Sequence, residues 1–330
     1  MNYKELSNVF KKINKWYEKR IKVLSIKTRP FNTIEILSNI VKKNILDNKN
    51  IVYIFCSDEK QYIKEKQNEL YRFINQDIVY KEVEKNLDCI SIDEIKALNK
   101  TYDLVIFDDI SLFSKVRGES IRDAVEEVYW KSNKIIIYSS EFIFPIGEKI
   151  YIPYLLEQKP IIEPRLITTR IKLEKDIPLA LFEYFKWFKE NKKIVLIIVP
   201  SEDKLDKVYN HYYEVLKSIN IRVIRYNKGQ DFKFIKYIIN ENNESLFIVT
   251  NNCGQYINEV SDANIVLLFS DDIYYSYKKI IYICAAINNT TKSTSELIMV
   301  SRDVSEHMDK AKNMTRELNR RLWEKRYWKI

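Results

Sequence analysis

A short apolar segment that ends in two carboxylates constrains the fold of this chain more than any other feature. Residues 104–107 are all apolar, polar residues flank them, and Asp108 and Asp109 follow directly. Such a segment is typical of a strand that is buried on both faces of a parallel sheet. Ligands of open α/β sheets lie beyond the carboxyl ends of the strands. The two carboxylates are therefore candidates to hold Mg²⁺ and orient a water molecule, although Asp residues also commonly turn a chain.

Strand-like and helix-like segments alternate along the chain, which predicts an α/β fold with mainly parallel sheets and helices on both faces. Prolines between residues 145 and 165 interrupt the alternation and are typical of a domain boundary. We therefore predict a first domain over 1–150, a linker over 151–165 and a second domain over 166–330. The predicted strands are 23–26, 51–55, 89–92, 104–107, 134–138, 194–199, 221–224, 246–250, 264–269 and 297–300.

Charge, cysteine and histidine content limit the classes of function. The 330 residues carry a formal net charge of +9, which permits a polyanionic partner but also fits a merely solvated surface. The four cysteines form no C-x-x-C pair, and the two histidines lie far apart, so neither a disulfide framework nor a zinc site is predicted. No apolar run reaches membrane-spanning length and no signal peptide is evident, so we expect a cytoplasmic protein without a membrane span.

Two tandem α/β domains, with a strand that ends in two aspartates and a next strand that ends in Ser139-Ser140, resemble a superfamily 2 helicase core. The resemblance is closest to the late-competence DNA-translocating ATPases of Gram-positive bacteria, the ComFA family, and covers most of the chain. It implies two tandem RecA-like domains. On this resemblance the nucleotide loop falls on 26–35, the acidic box on 107–111, the Ser-Ala-Thr box on 138–141, the interdomain segment on 158–165 and the closing helix on 306–320.

The nucleotide loop departs from the family's pattern at several positions. Glycines allow backbone N–H groups to converge on phosphates, but this chain has no glycine before Gly118. Pro30 removes a backbone donor from the loop. Asn32 stands where the family has the lysine that contacts the phosphates, and only Thr33 matches, at the position of the hydroxyl that binds Mg²⁺.

The acidic and arginine motifs also depart from the pattern. Asp108 matches the family's metal-binding aspartate, but Asp109 is one methylene shorter than the usual glutamate. The arginine box falls on 282–289 and contains no arginine, and residues 251–255 lack the family's Glu-Arg-Gly-like run. Because an arginine finger alone contributes roughly 10³–10⁵ in rate, we expect the ATPase chemistry to be lost while the buried strands keep the fold.

Two predicted helices carry many basic residues. On the first, residues 6–17 place apolar side chains at helical spacing, and the opposite face carries Lys11, Lys12, Lys15, Lys19 and Arg20. That face suits phosphate contact or simple solvation. The last helix, over 303–327, combines basic and aromatic residues, which neutralise phosphates and stack on bases, respectively. The candidate nucleic-acid-binding residues there are Arg316, Arg320, Arg321 and Trp323, although Trp323 also suits a core or partner-facing role.

We therefore expect a helicase-like, DNA-binding protein of the competence or DNA-uptake type with a decayed ATPase site. Its acidic box, Asp108 and Asp109, and its phosphate loop, Asn32 and Thr33, would be vestigial, and no cofactor is expected. The expected partners are single-stranded DNA and DNA-uptake or recombination proteins. One alternative is an active ATP-driven single-stranded DNA translocase, in which Asp108 and Thr33 would hold the metal of Mg-ATP. The other is a protein-interaction scaffold without affinity for nucleic acid.

Overall fold

Parallel strands form two six-stranded sheets in the computed structural model, one in each of two units, Met1–Gln158 and Lys159–Ile330. The structure describes residues 3–57, 60–74, 80–114, 116–152, 160–227, 230–241, 244–253, 257, 260, 263–290 and 295–327. The pairs of neighbouring strands in both sheets are parallel. The predicted α/β class with mainly parallel sheets is therefore confirmed.

The first unit alternates strands and helices as the sequence predicts. Its elements are α1 (Tyr3–Tyr17), β1 (Val23–Thr28), α2 (Glu35–Leu46), β2 (Ile51–Phe55), α3 (Lys60–Ile74), α4 (Tyr80–Asn86), β3 (Leu87–Ser91), a 3₁₀ helix (Ile92–Ala97), β4 (Tyr102–Asp108), α5 (Gly118–Tyr129), β5 (Ser132–Ser139) and β6 (Glu148–Ile152).

The strand order of the first sheet is β3-β2-β4-β5-β1-β6. Strand β5 therefore lies between β1, which leads into the predicted nucleotide loop, and β4, which ends at Asp108. In the pairing register Asp108 lies opposite Tyr138 of β5 and Phe55 of β2, and Lys27 of β1 lies opposite Ser139. The loop, the acidic box and the Ser-Ser pair thus meet at the carboxyl ends of three neighbouring strands, β1, β5 and β4.

Helices cover both faces of the first sheet. On one face, Leu6, Val9, Ile13 and Trp16 of α1 pack with α2, α3, α4 and the strands in one continuous core. On the other face α5 and the 3₁₀ helix form a second core with the strands. Burying one such apolar side chain contributes about 1.5–3 kcal/mol, so the helical spacing of the apolar residues fixes which face of α1 lies inward.

The second unit has the same alternation. Its elements are β7 (Arg165–Thr168), α6 (Leu179–Glu190), β8 (Ile194–Ile198), α7 (Glu202–Ser218), β9 (Arg222–Tyr226), α8 (Phe232–Glu241), β10 (Leu246–Thr250), β11 (Ala263–Leu268), α9 (Tyr277–Thr290), β12 (Leu297–Ser301) and α10 (Glu306–Tyr327). The strand order is β7-β12-β11-β8-β10-β9. Helices α6 and α7 share a core with the strands, while α9 contacts α10.

The start of α7 shows how local sequence sets an element boundary. Ser201 precedes the helix, and its hydroxyl accepts a hydrogen bond from the backbone N–H of Lys204 at 3.3 Å. Serine is among the residues preferred at this N-cap position, and such a cap stabilises a helix by about 1 kcal/mol.

The structure adds strands on both sides of the predicted domain boundary. Strand β6 runs to Ile152 and strand β7 begins at Arg165, whereas the sequence predicts no strand between residues 138 and 194 and only a domain boundary at the prolines. Both are edge strands, and a proline is tolerated next to an edge strand because fewer backbone donors are needed there. Residues 153–159 of the predicted linker lie outside the described residues. Within the described chain, no helix is long and apolar enough to cross a membrane.

Candidate functional site

The Asp108 carboxylate, at the carboxyl end of β4, is the centre of a buried hydrogen-bond network. Its side chain is 2% exposed. Oδ2 accepts hydrogen bonds from the hydroxyls of Tyr53 and Ser111, each at 2.6 Å. Oδ1 accepts from the backbone N–H groups of Ile110 at 3.0 Å and Ser111 at 3.1 Å. A carboxylate has about four lone-pair positions, so donors from the protein itself match the acceptor capacity of Asp108.

Two tyrosines place their hydroxyl groups around this network. Burial raises the pKa of Tyr53 and of Tyr138 well above the ordinary value, and the nearby Asp108 charge raises both further. Both phenols therefore remain protonated hydrogen-bond donors. Tyr53 donates to Asp108, while Tyr138 donates to the backbone carbonyl of Thr33 at 3.0 Å. Tyr138 thus links β5 to the predicted nucleotide loop.

Asp109, the second residue of the acidic box, is held against β5 by its backbone. Its N–H donates to the carbonyl of Tyr138 at 2.9 Å, and the residue is buried. The preceding carbonyl, that of Asp108, accepts from the N–H of Cys56 at 2.9 Å. Main-chain hydrogen bonds to neighbouring strands on both sides therefore fix the backbone of the acidic box.

The predicted nucleotide loop contains a residue in the left-handed region. Phe31 has φ +57°, although a bulky side chain rarely adopts this conformation. On the family resemblance, it stands where the phosphate loop has its last glycine, directly before the position of the lysine. Its N–H donates to the carbonyl of Ile110 at 2.8 Å. The loop therefore keeps a backbone conformation that suits glycine, while its N–H is bound to the segment after β4.

The Asn32 side chain is turned into the same loop. It is 3% exposed. Its amide nitrogen Nδ2 donates to the hydroxyl of Thr28 at 2.7 Å, and its oxygen Oδ1 accepts from the backbone N–H of Thr33 at 2.9 Å. The residue at the lysine position thus spans the loop instead of reaching out of it.

The hydroxyl of Thr33 forms a local hydrogen bond just before α2. Its hydroxyl oxygen accepts from the backbone N–H of Glu35, the first residue of that helix, at 3.0 Å. Ser139, the first residue of the Ser-Ser pair, likewise engages the turn that follows, because its hydroxyl donates to the carbonyl of Glu141. Both hydroxyls therefore stabilise local backbone.

Together these contacts decide how well the residues fit a Mg-nucleotide. A phosphate loop needs converging N–H donors, a lysine and a hydroxyl for the metal. Here Pro30 has no N–H, the N–H of Phe31 is bound to a carbonyl, and Asn32 is hydrogen-bonded inward. The proposed metal ligands, Asp108 and Thr33, are engaged with protein donors. As arranged, the residues do not fit Mg-ATP.

In the second unit, the residues predicted to match the arginine box lie in a buried helix. Residues 282–287 lie within α9, and each of them is buried. The side chains at 288 and 289 lie outside the described residues, as do Gly254 and Gln255 of the segment after β10. Before those, the N–H of Asn252 donates to the hydroxyl of Thr250 at 3.0 Å and forms a local turn.

The predicted nucleic-acid-binding arginines of α10 each lie beside a carboxylate. The Arg316 side chain is 2.6 Å from that of Glu163, and those of Arg321 and Glu317 are 2.7 Å apart. Arg320 lies 3.7 Å from Glu324. Trp323 is 51% exposed. Helix α10 thus carries an exposed aromatic ring and three arginines whose positive charges are partly neutralised by these carboxylates.

Sequence reasoning missed the partners of the Asp108 network. Ser111 follows Asp108 by three residues, and an aspartate that accepts N–H groups two and three residues ahead is a local turn signal. The sequence therefore contained a signal for the contact of Ser111 with Asp108. It contained no signal for the contact of Tyr53, because that contact depends on the pairing of β2 with β4.

Comparison with known proteins supports the fold. No protein-family model and no curated protein matches the chain. Among solved structures, the DEAD-box helicase Mss116 bound to ssRNA and UDP-BeF is similar, with 10% identity and a TM-score of 0.51, over 89% of this chain and 69% of that one. RecG bound to a three-way DNA junction has 12% identity and a TM-score of 0.47, over 93% of this chain and 44% of that one. The likeness to Mss116 concerns the fold alone, and with the two parallel sheets it shows two tandem RecA-like domains.

Proposed function

We propose that this chain is a helicase-like protein that binds single-stranded DNA and has lost ATP hydrolysis. The hydrogen-bond network of Asp108 carries the proposal, because four protein donors occupy the carboxylate that the family resemblance assigns to the metal. Catalysis of phosphoryl transfer depends almost entirely on positioning and electrostatic stabilisation of the phosphates. A site without the lysine and without an arginine in the matching box supplies little of that stabilisation.

The binding half of the proposal is supported by charge and by fold. The chain has a formal net charge of +9, which favours a polyanionic partner. The similar structure of Mss116 holds ssRNA. We further propose, from the family resemblance, that the protein acts in the cytoplasm beside DNA-uptake or recombination proteins.

ATP turnover and DNA binding measured on the same preparation test the proposal. We expect single-stranded DNA to bind with an affinity that falls steeply with salt, and ATP turnover to stay at the level of a blank with and without that DNA. The matched control is Asp109→Asn, which keeps the size of the side chain and removes its charge.

These measurements separate three outcomes, of which the first and the third would change the assignment. Turnover that DNA stimulates and Asp109→Asn abolishes would identify an active ATP-driven translocase. Turnover that survives in Asp109→Asn would instead indicate a contaminating ATPase. A protein that binds no nucleic acid even at low salt would be a protein-interaction scaffold.

A further inference from the structure

An open groove follows the free edge of β7 in the second unit. Strand β7, Arg165–Thr168, pairs with β12 on one side and is the outermost strand of its sheet. A cavity of about 470 Å³ lies along it, lined by residues 163–167, by Tyr184 of α6 and by Lys312 of α10. We call this cavity the β7 groove. All of these residues belong to the second unit.

The backbone of β7 directs hydrogen-bonding groups into the groove. The N–H of Thr169 donates to the carbonyl of Ser301 at 2.9 Å, towards β12. Because successive N–H groups of a strand point to opposite sides, the N–H and C=O groups of Leu166 and Thr168 point away from β12. Within the described residues, no strand pairs with that side of β7. The strand therefore offers a short row of main-chain donors and acceptors to a further strand.

The β7 groove has walls on both faces of the sheet. Ile167 packs against the core that α6 and α7 share with the strands, so Arg165 and Ile167 face α6, the helix of Tyr184. By strand alternation Leu166 faces the other side, where Lys312 lies on α10, a helix outside that core. The side chains of an extended chain beside β7 would alternate in the same way, one towards α6 and the next towards α10. Walls on both faces therefore fit an added strand.

Helix α10 runs beside the segment that leads into β7. Its residues Lys312, Arg316 and Asn319 are spaced by four and three positions and so share one face of the helix. The side chain of Asn319 bonds to the N–H and the carbonyl of Ile161, each at 2.7 Å, and Arg316 pairs with Glu163 at 2.6 Å. Lys312 is the next residue of this series and lines the groove, without a carboxylate partner among the described residues. A carboxylate of a binding partner can therefore pair with Lys312 as Glu163 pairs with Arg316.

The edge of β7 is not closed by unpaired charge. Arg165 donates from Nε and Nη2 to the carboxylate of Glu296, at 2.6 and 3.3 Å, so its charge is neutralised within the sheet. Leu166 and Ile167 are apolar and only half-buried. Natural edge strands are often protected by lysines or by charges that point inward. The four residues of β7 include neither, and the protection of this edge is limited to its short length and to Pro164 before it.

We propose that the β7 groove binds an extended segment of a partner protein with alternating acidic and apolar side chains. The segment adds to the sheet beside β7, with a carboxylate on Lys312 and an apolar side chain against Tyr184. In this mode of recognition main-chain hydrogen bonds give affinity and the alternate side chains give specificity. Such binding does not depend on the proposed function, so either can fail alone. The β7 edge of a second copy and a nucleic acid held by Lys312 are other occupants, and both are outcomes of the test.

The test measures binding of short labelled peptides to the full chain by fluorescence anisotropy. The probe is a peptide of alternating glutamate and valine, and the charge control is its counterpart of alternating lysine and valine. The variant Lys312→Glu reverses the charge in the groove. The matched variant Lys233→Glu makes the same change at an exposed position of α8, the helix that follows β9 at the opposite edge of the sheet. Both variants change the net charge equally, so general electrostatic attraction is matched.

We expect Lys312→Glu to bind the glutamate–valine peptide roughly tenfold more weakly than Lys233→Glu does, and to bind the lysine–valine peptide more tightly than the parent does. Equal binding by the two variants would overturn the contact with Lys312. No binding of the glutamate–valine peptide to the parent at about 1 mM would overturn the whole proposal and leave the proposed function standing. Binding of oligo-dT that Lys312→Glu abolishes, without peptide binding, would assign the groove to nucleic acid.

Amide hydrogen exchange shows whether the peptide adds as a strand. We expect the N–H groups of Leu166 and Thr168 to exchange more slowly with the glutamate–valine peptide bound, while that of Ile167, which faces β12, changes little. Thr168→Pro removes a donor that β12 does not use, so it should lose peptide binding while thermal unfolding shows that the fold remains. Peptide binding without slower exchange at Leu166 and Thr168 would overturn strand addition. Exchange that slows with rising protein concentration, without peptide, would assign the edge to a second copy and overturn the proposed partner.

Discussion

The side-chain amide of Asn32 donates a hydrogen bond to the hydroxyl of Thr28 at 2.7 Å, across a loop that in a working ATPase would surround phosphate. Both residues are buried. The contact joins the last residue of β1 to the residue that the family resemblance aligns with the phosphate-binding lysine. The loop is therefore stabilised by its own side chains, and a substitution that introduces a lysine at position 32 breaks this contact.

The substitution Asn32→Lys tests that consequence. The lysine loses the hydrogen bonds of Asn32 to Thr28 and to the N–H of Thr33, and it places a charge in a buried position. We expect the free energy of unfolding to fall by about 1–3 kcal/mol, measured by urea denaturation, and ATP turnover to remain absent. A variant with parent stability and measurable turnover would contradict the vestigial assignment of the loop.

The Asp108 network predicts that its carboxylate is a structural group. In Asp108→Asn the amide keeps the size of the side chain but replaces one acceptor atom by a donor, which then faces the donors that Asp108 satisfied. We expect a loss of about 2–4 kcal/mol in the free energy of unfolding. The control Tyr53→Phe removes one of the four donors and should cost only about 1–2 kcal/mol.

The opposite ranking would indicate a functional carboxylate. Residues that serve catalysis are often strained, so their replacement commonly leaves stability unchanged or raises it. If Asp108→Asn were as stable as the parent while Tyr53→Phe was destabilised, Asp108 would be a poor candidate for a structural role.

The buried phenols of Tyr53 and Tyr138 predict a loss of stability in alkali. Burial first, and then the Asp108 charge, raise the pKa of both phenols in the folded protein. Above about pH 10 the unfolded chain releases protons that the folded chain keeps. Below about pH 10 these two groups therefore cause no change of the free energy of unfolding with pH. Above about pH 10 that free energy falls by about 1.4 kcal/mol per pH unit for each phenol.

Urea denaturation between pH 8 and pH 11 measures this dependence. The double variant Tyr53→Phe/Tyr138→Phe should show a shallower decline above pH 10 than the parent, in addition to its lower stability at pH 8. An identical decline in both proteins would show that these two phenols do not set the alkaline limit.

Strands buried on both faces could be predicted from sequence nearly to the residue. The strands β2, Ile51–Phe55, and β10, Leu246–Thr250, have the predicted bounds, because nearly every position in them is apolar. The edge strands β6 and β7 were not predicted. They are short and partly polar, and only pairing with β1 and β12 distinguishes them from extended chain.

The candidate site likewise has a part that could be predicted from the sequence and a part that could not. The position of Asp108 at the end of a strand follows from the local pattern, whereas the match of Asn32 to the phosphate-binding lysine rests on the family resemblance and stays a prediction. The contact with Tyr53 could not be predicted, since it depends on the order β3-β2-β4 and on a register in which Ile106 lies opposite Tyr53. Likewise Arg316 and Glu163 are 153 positions apart, whereas the Arg321–Glu317 pair follows the ordinary helical spacing of four.

The positive φ of Phe31 predicts an inverted order of stability for two substitutions. At an ordinary position glycine is less stable than alanine by about 0.5–1 kcal/mol. At φ +57° alanine retains the steric cost of the left-handed region, about 1–2 kcal/mol, and glycine does not. Since both variants remove the same phenyl ring, we expect Phe31→Gly to have a higher free energy of unfolding than Phe31→Ala. The ordinary order, with alanine more stable, would show that the loop adopts another conformation in solution.

The arginines of α10 remain a predicted contact for single-stranded DNA. Replacement of Arg316, Arg320 and Arg321 by alanine should weaken binding and make the log–log salt slope shallower by about 2, measured by fluorescence anisotropy with labelled oligo-dT over a series of salt concentrations. The ion pairs complicate the interpretation, because removal of the arginines leaves the carboxylates without their partners. Their negative charges would repel DNA even if α10 never touched it.

A charge-balanced variant separates contact from repulsion. It combines the three arginine substitutions with alanine at the partner positions Glu163, Glu317 and Glu324, so its net charge equals that of the parent. If the arginines contact phosphates, this variant still binds more weakly than the parent, because the positive groups at the interface are gone. We expect that result. If its affinity and salt slope return to the parent values, the triple variant acted through repulsion alone, and α10 is not a binding face.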